Sequence, residues 1–226
     1  MNNQVKRYLS KTGNNEILER RFELLELSGI KNFFIDRVEI PDKGEILSKL
    51  ALKYKDCKKC GLSNTRHNFV YGQGNPDADI MFIGEGPGEQ EDRQGIPFVG
   101  AAGQLFNKML KAISLEREEV YITNIVKCRP PKNRNPLPDE IESCIPYLYE
   151  QIWIIRPKTI CALGKVAGNS LLNNNDTLGS MRGKFYNFQD IKLMVTYHPS
   201  ALLYHIEWKR PAWEDLKMLM REYRKV

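Results

Sequence analysis

The run Ile80-Met81-Phe82-Ile83 passes directly into Gly84-Glu85-Gly86-Pro87-Gly88, and this junction limits what the chain can fold into more than any other stretch. Four consecutive apolar residues ending in a turn signal read as a short buried strand rather than one face of an amphipathic helix. The glycines allow left-handed backbone and let a ligand approach the main chain, while Pro87 stiffens the turn. A second glycine-bounded segment, Gly95-Ile96-Pro97-Phe98-Val99-Gly100, leads into 101–113, where Leu105, Phe106, Met109, Leu110 and Ile113 recur at helical spacing. Strand, rigid loop and helix in that order place backbone N–H groups at the carboxyl end of a sheet, where α/β proteins bind ligands. The loop has neither a Gly-Lys-Ser/Thr ending nor GxGxxG spacing, so it is not a phosphate loop or a dinucleotide fingerprint.

The alternation continues downstream. Segments 120–126, 158–163 and 193–197 read as strands; 138–155, 164–172 and 208–223 read as helices. This predicts an α/β fold, three layers (α/β/α) around a central four-stranded parallel sheet with right-handed crossovers. With 226 residues, 42% of them apolar, the chain can bury a real core, which excludes a disordered protein. One domain is expected over 45–226. Residues 1–44 read as a helical extension, with Ile17, Leu18, Phe22 and Leu25 at helical spacing and a break at Pro41-Asp42. Docking on the main domain and serving a partner both remain open for it. No apolar run approaches a membrane span and no N-terminal segment resembles a secretion signal, so a cytoplasmic protein with no membrane partner is expected. In that compartment five cysteines argue for metal binding or reactivity rather than disulfides. A net charge of +6 favours a polyanionic partner, with a solvated basic face as the plain alternative.

Two constellations carry chemistry. Cys57 and Cys60 form a CxxC, and Cys128 and Cys144 form a looser pair joining a basic loop to a helix. Four thiolates can hold a zinc ion or an iron–sulfur cluster; zinc ribbons use two knuckles, so the single CxxC suits a cluster better, and unrelated thiols also stay open. Cys161, inside a strand, reads as a core thiol. The second constellation lies at strand ends: Glu85 after the first, Asn124 near the end of the second, His198 after the last. In a parallel sheet these reach one edge, beside Phe98. An asparagine amide can read a base edge, and an aromatic ring gives an extruded base a face to stack on.

These residues, Gly84-Glu85-Gly86-Pro87-Gly88, the loop bearing Phe98, Thr123-Asn124, the four cysteines and His198-Pro199-Ser200, together resemble the family 4 uracil-DNA glycosylases, the iron–sulfur members of their superfamily. The resemblance covers about residues 50–222. It implies hydrolysis of the N-glycosidic bond of uracil in DNA as a base-excision repair step, by a nucleoid-associated monomer with uracil-containing DNA as partner and repair or replication proteins as candidate partners of the extension. It further implies that Phe98 stacks on the flipped base, that Asn124 reads its O4 and N3–H edge, and that His198 donates to O2 with loop N–H groups near Gly86 and Pro87 assisting. The best-known branch carries Asp where this chain has Gly86 and Tyr where it has Gly88. Glu85 is therefore the candidate to orient water, and Glu91 resembles the residue that fills the space of that Tyr. Ser200 is expected on a phosphate, Leu202 as an apolar wedge exposed on its loop, with Ala201-Leu202-Leu203 as the start of a buried helix the plain alternative, and Arg129, Lys132 and Arg134 as further phosphate contacts. A structural [4Fe–4S] cluster on Cys57, Cys60, Cys128 and Cys144 is implied.

Three rival readings fit parts of the pattern. A serine hydrolase using Ser200, His198 and Glu85 fails because Ser200 lies two residues from His198 across a proline and no GxSxG elbow exists. A non-catalytic, cluster-bearing DNA binder leaves the Glu85, Asn124 and His198 set without a purpose. A relative acting on another deaminated base remains an alternative.

Overall fold

The protein is described from a computed structural model that defines residues 42–224. The extension's expected helix around residues 15–27, and its partner role, lie outside the described residues. Helix α1 (Lys43–Tyr54) precedes the sheet domain, and residues 54–226 form one compact unit whose boundary falls within α1, at Lys53.

Within that unit the chain runs β1 (Gln73–Gly74), β2 (Ile80–Gly84), α2 (Glu89–Gln94), α3 (Ala101–Ala112), β3 (Tyr121–Asn124), α4 (Pro138–Ile155) and β4 (Thr159–Leu163). It continues through α5 (Lys165–Leu172), α6 (Leu178–Met181), β5 (Phe185–Phe188), β6 (Ile191–Thr196), α7 (Pro199–Tyr204) and α8 (Lys209–Tyr223). The strands form one six-stranded sheet in the order β1-β3-β2-β4-β6-β5. Pairings β3–β2, β2–β4 and β4–β6 are parallel, whereas β1 and β5 pair antiparallel at the two edges. The expected four-stranded, wholly parallel sheet is corrected accordingly: two antiparallel edge strands extend it. β1 has two residues, too few for any periodicity, and β5 follows a turn at Gly183 that reads as loop.

Side chains alternate cleanly between the two faces. Ile80, Phe82, Ile122, Cys161, Leu163 and Met194 meet Phe106 and Leu110 of α3 and Leu216 and Leu219 of α8 in one core cluster. Cys161 is thus a core thiol. On the other face Tyr121 and Thr123 meet Gln151 of α4 through hydrogen bonds, and Gly168 of α5 lies so close to Val195 that a Cβ would stand 2.9 Å from its Cγ1. Helices therefore cover both faces. No helix among the described residues is long and apolar enough to cross a membrane.

β3 ends at Asn124, earlier than the expected Val126. Ile125 and Val126 still donate to Gly84 O and Glu85 O, so the chain stays beside the glycine loop after leaving the ladder. The connection from β2 runs to β3 on one side and the connection from β4 runs to β6 on the other. The crevice where such connections diverge, at the carboxyl ends of β2 and β4, is where open α/β sheets bind ligands.

Candidate active site

The crevice is built from glycines because side chains already fill it. Gly84 pairs with Asn124 across β2 and β3, and a Cβ on Gly84 would strike Asn124 Oδ1 and stand 2.7 Å from Phe98 Cζ. Asn124 is buried, and its Oδ1 accepts no hydrogen bond from the described residues. An unpaired buried acceptor costs about 1–3 kcal/mol, and a ligand entering the crevice can supply the missing donor.

Phe98 has φ 54°, a left-handed backbone that a non-glycine residue adopts only when held there. The hold comes from several directions. Glu91 Oε1 accepts from Val99 N and Gly100 N, both at 2.8 Å. Arg117 donates to Phe98 O at 3.0 Å, to Asn107 Oδ1 at 3.3 Å and to Pro97 O. Gly103 of α3 packs against the Phe98 carbonyl so closely that any Cβ would overlap it. The ring ends against Phe106, with centroids 5.1 Å apart, and against the His198 imidazole at 5.5 Å. Arg117 had no signal in the sequence, because it lies outside every motif and acts through main-chain carbonyls.

His198 follows β6 and caps α7. Ser200 N–H donates to Nδ1 at 3.2 Å and Ser200 Oγ lies 2.7 Å from the same nitrogen. A backbone N–H can only donate, so Nδ1 is the acceptor and the proton of the neutral ring sits on Nε2. Burial pushes the imidazole pKa down to about 4, and nearby Glu91 opposes that shift. The ring is therefore a neutral donor at physiological pH. Gly164, at φ 94°, leaves it room, for a Cβ there would stand 3.0 Å from His198 Cβ. Glu85 is half-buried, takes no side-chain hydrogen bond from the described residues, and has its carboxyl pushed up by burial. Gly86 rests on Val126 and Pro130, and Pro87 is buried.

Several expected DNA contacts are placed differently. Leu202 is 2% exposed because Pro199 starts a helix whose inward face carries Pro199 and Leu202. The exposed apolar side chains are its neighbours Leu203, Tyr204 and Ile206, at 42%, 83% and 72%. Leu202→Ala should cost about 2–5 kcal/mol in chemical denaturation, as core truncations do. Leu203→Ala should change stability by no more than about 0.5 kcal/mol. Ser200 directs both its N–H and its hydroxyl at His198 instead of standing free for a phosphate. Arg134 forms a bidentate pair with Glu140 at 2.7 and 2.8 Å, and Arg129 faces Glu89 and Asn133. Lys132 is exposed and makes no ion pair with the described residues. Lys127, in the same basic run, points inward and is buried at 0% exposure.

Cys57 and Cys60 are half-buried, and Cys128 and Cys144 are buried; all are free thiols. Among the described residues no three Cys, His, Asp or Glu side chains stand close enough to grip a single metal ion. The thiols nonetheless act on one another electrostatically: Cys60 on Cys128, and both Cys57 and Cys60 on Cys144. Burial pushes Cys128 up to about 12 and Cys144 to about 11, while Arg66 beside Cys128 and Lys127 beside Cys144 act in the opposite direction. Three sulfurs already have hydrogen-bond partners suited to thiolates: Arg66 donates to Cys128 at 3.2 Å, Lys127 N to Cys144 at 3.3 Å, and Tyr147 OH lies 3.1 Å from Cys57. Four soft sulfur donors, three of them with such partners, are of the chemistry that iron–sulfur clusters take.

Comparison with known proteins places residues 71–217 in the Uracil DNA glycosylase superfamily. The chain is 43% identical over 183 residues to the type-4 uracil-DNA glycosylase of Archaeoglobus fulgidus, covering 77% of this chain and 92% of that protein. It is 46% identical over 182 residues to the type-4 uracil-DNA glycosylase of Sulfurisphaera tokodaii, covering 76% and 83%. Its identity to the Saccharolobus solfataricus type-4 protein is 46% over 180 residues, again covering 76% and 83%.

Proposed function

The chain belongs to the uracil-DNA glycosylase superfamily, among its type-4 members, and from that premise we propose how its own residues select uracil and release it from DNA. The reaction is a repair hydrolysis: water adds to C1′ of the deoxyribose, the C1′–N1 bond breaks, and uracil leaves with the bonding electrons. The observation that carries the reading of the pocket is the buried, unpaired Oδ1 of Asn124 beside Phe98 and His198. Uracil offers N3–H to that oxygen and O4 to the amide N–H. Cytosine offers a bare N3 and an amino group, leaving like groups opposed. Rejection of that kind reaches about 10⁴–10⁵ in a rigid, buried site.

Flipping the base costs a few kcal/mol, and stacking against Phe98 recovers part of it. As negative charge grows on uracil, His198 Nε2–H donates to O2, with loop N–H groups near Gly86 alongside. A neutral donor is the suitable form, since its proton stays on the ring while the anion departs. Glu85 orients water on the far face of the sugar and takes its proton. Glu91 keeps the Phe98 loop in place and occupies the space beside Gly88, where a Cβ would stand 2.7 Å from its Oε2.

Lys132 and the half-buried Arg129 supply phosphate attraction, so affinity falls with salt. The exposed Leu203 and Tyr204 take the wedge role expected of Leu202. Cys57, Cys60, Cys128 and Cys144 would hold a [4Fe–4S] cluster, whose role there would be structural. Cys128 lies in the 126–130 segment against which Gly86 rests.

The test is release of uracil from a defined oligonucleotide by the wild type and Asn124→Ala. Two lost hydrogen bonds should lower single-turnover release about 10²-fold. Wild-type release by Asn124→Ala would remove the base-reading assignment.

A further inference from the structure

Lys127 is the largest departure from expectation in the molecule. It belongs to a run of cations that reads as a DNA-facing loop, yet its whole side chain is inside the protein. Its Nζ donates to Thr123 Oγ1 at 2.6 Å, to Asn124 O at 2.8 Å and to Gln151 Oε1 at 2.6 Å. All three ammonium protons are thus used, and every acceptor is neutral. Burying a lysine head group is costly even with the Cys144 and Cys128 sulfurs acting on it favourably, and an apolar residue of similar length would fill the space at less expense. The arrangement therefore needs a purpose other than packing.

What the ammonium fixes is specific. Its acceptors Thr123 and Asn124 are the last two residues of β3, and Gln151 anchors them to α4 while donating to Tyr71 O at 2.8 Å. The Lys127 peptide N–H reaches Cys144 Sγ and its carbonyl accepts from Val70 N at 2.8 Å. One residue thus joins the carbonyl of Asn124 to a cysteine of the cluster set. We propose that Lys127 is a positioning residue: its ammonium clamps the Asn124 peptide so that the side-chain amide stands ready for the base, and its main chain registers that clamp on the cysteine-bearing helix. This rests on the reading of Asn124 as the base reader.

The test is a double-mutant cycle in the full, cluster-loaded chain, using Lys127→Met, Asn124→Ala and the pair. Single-turnover release of uracil, inhibition by free uracil, affinity for a duplex with a tetrahydrofuran abasic site, and visible cluster absorption are followed together. Misplacing a recognition group by about 1 Å can cost 10²-fold, so Lys127→Met should lower release about 10–100-fold and weaken free-uracil inhibition in proportion. Abasic-duplex affinity and cluster absorption should stay within about 2-fold. Added to Asn124→Ala, Lys127→Met should cost almost nothing more, because the group it positions is gone.

Full additivity, unchanged release, or parallel loss of abasic-duplex affinity and cluster absorption would each overturn the proposal. If Lys127→Met does not fold, Gln151→Met removes one acceptor from the opposite side, and the same cycle with Asn124→Ala decides. Wild-type release by Asn124→Ala alone would mean that the base-reading assignment has failed. A normal Asn124→Ala defect with an indifferent Lys127→Met would sink only the positioning role.

Discussion

Replacing His198 with alanine should lower single-turnover release of uracil about 10²–10³-fold, the usual cost of losing one preorganised donor to a developing anion. The loss should be nearly the same at every pH from about 5 to 8. Burial holds the imidazole pKa down to about 4, and the Ser200 N–H occupies Nδ1, so the ring stays a neutral Nε2–H donor across that range. The sign for stability follows from the same depression. The unfolded chain takes up a proton on this histidine near its ordinary value of 6.5, whereas the folded chain does so only near 4. The contribution to stability is complete above about 6.5 and is lost as pH falls toward 4. His198→Ala should therefore flatten the acid side of a plot of stability against pH while lowering activity throughout. A variant whose rate defect vanished at low pH would indicate that the charged imidazolium does the work, contrary to this assignment.

The second large effect is expected at the cysteines, and its pattern matters more than its size. If the four thiols were unrelated, serine at half-buried Cys57 would be nearly silent and serine at buried Cys144 would cost a core defect. A shared cluster predicts equal outcomes. Each of Cys57→Ser, Cys60→Ser, Cys128→Ser and Cys144→Ser should abolish the broad visible absorption of the cluster. Each should lower the thermal midpoint by a similar amount, with a loss of about 4 kcal/mol if the group is bound a thousandfold above its dissociation constant. Iron analysis and thermal denaturation of the four variants check this, and a graded series following burial would contradict a common ligand.

The sequence made the central frame legible where its signals were local. β2 and its glycine loop, α3, α4 and β4 fall close to where apolar runs, helical spacing and turn residues put them. α2 was hidden because Glu89–Gln94 is polar throughout and offers no apolar period. α7 is the plain alternative at Ala201-Leu202-Leu203, outweighed because His198-Pro199-Ser200 reads as a loop; proline fits the first turn of a helix, and that helix is why Leu202 faces inward. Asn124, Phe98 and His198 could be nominated because the parallel topology brings strand ends together. The residues that hold them could not. Arg117 acts on carbonyls nineteen and twenty positions away. Lys127 is chemically indistinguishable in sequence from its exposed neighbours, and Arg134 and Arg129 gave no hint that Glu140 and Glu89 had claimed them.

The strand register bears on how the protein comes into being as well as on what it does. Gly84 and Asn124 are direct neighbours in the sheet though forty residues apart in the chain, and His198 arrives only with the end of β6. Parallel pairings of this kind require long crossovers to close first, which makes them slow and late to form. A growing chain that has not reached residue 198 lacks the imidazole, and Asn124, Phe98 and His198 meet only once β2, β3, β4 and β6 have paired. The crevice is a property of the finished sheet, and no stretch shorter than 98–198 contains all three residues.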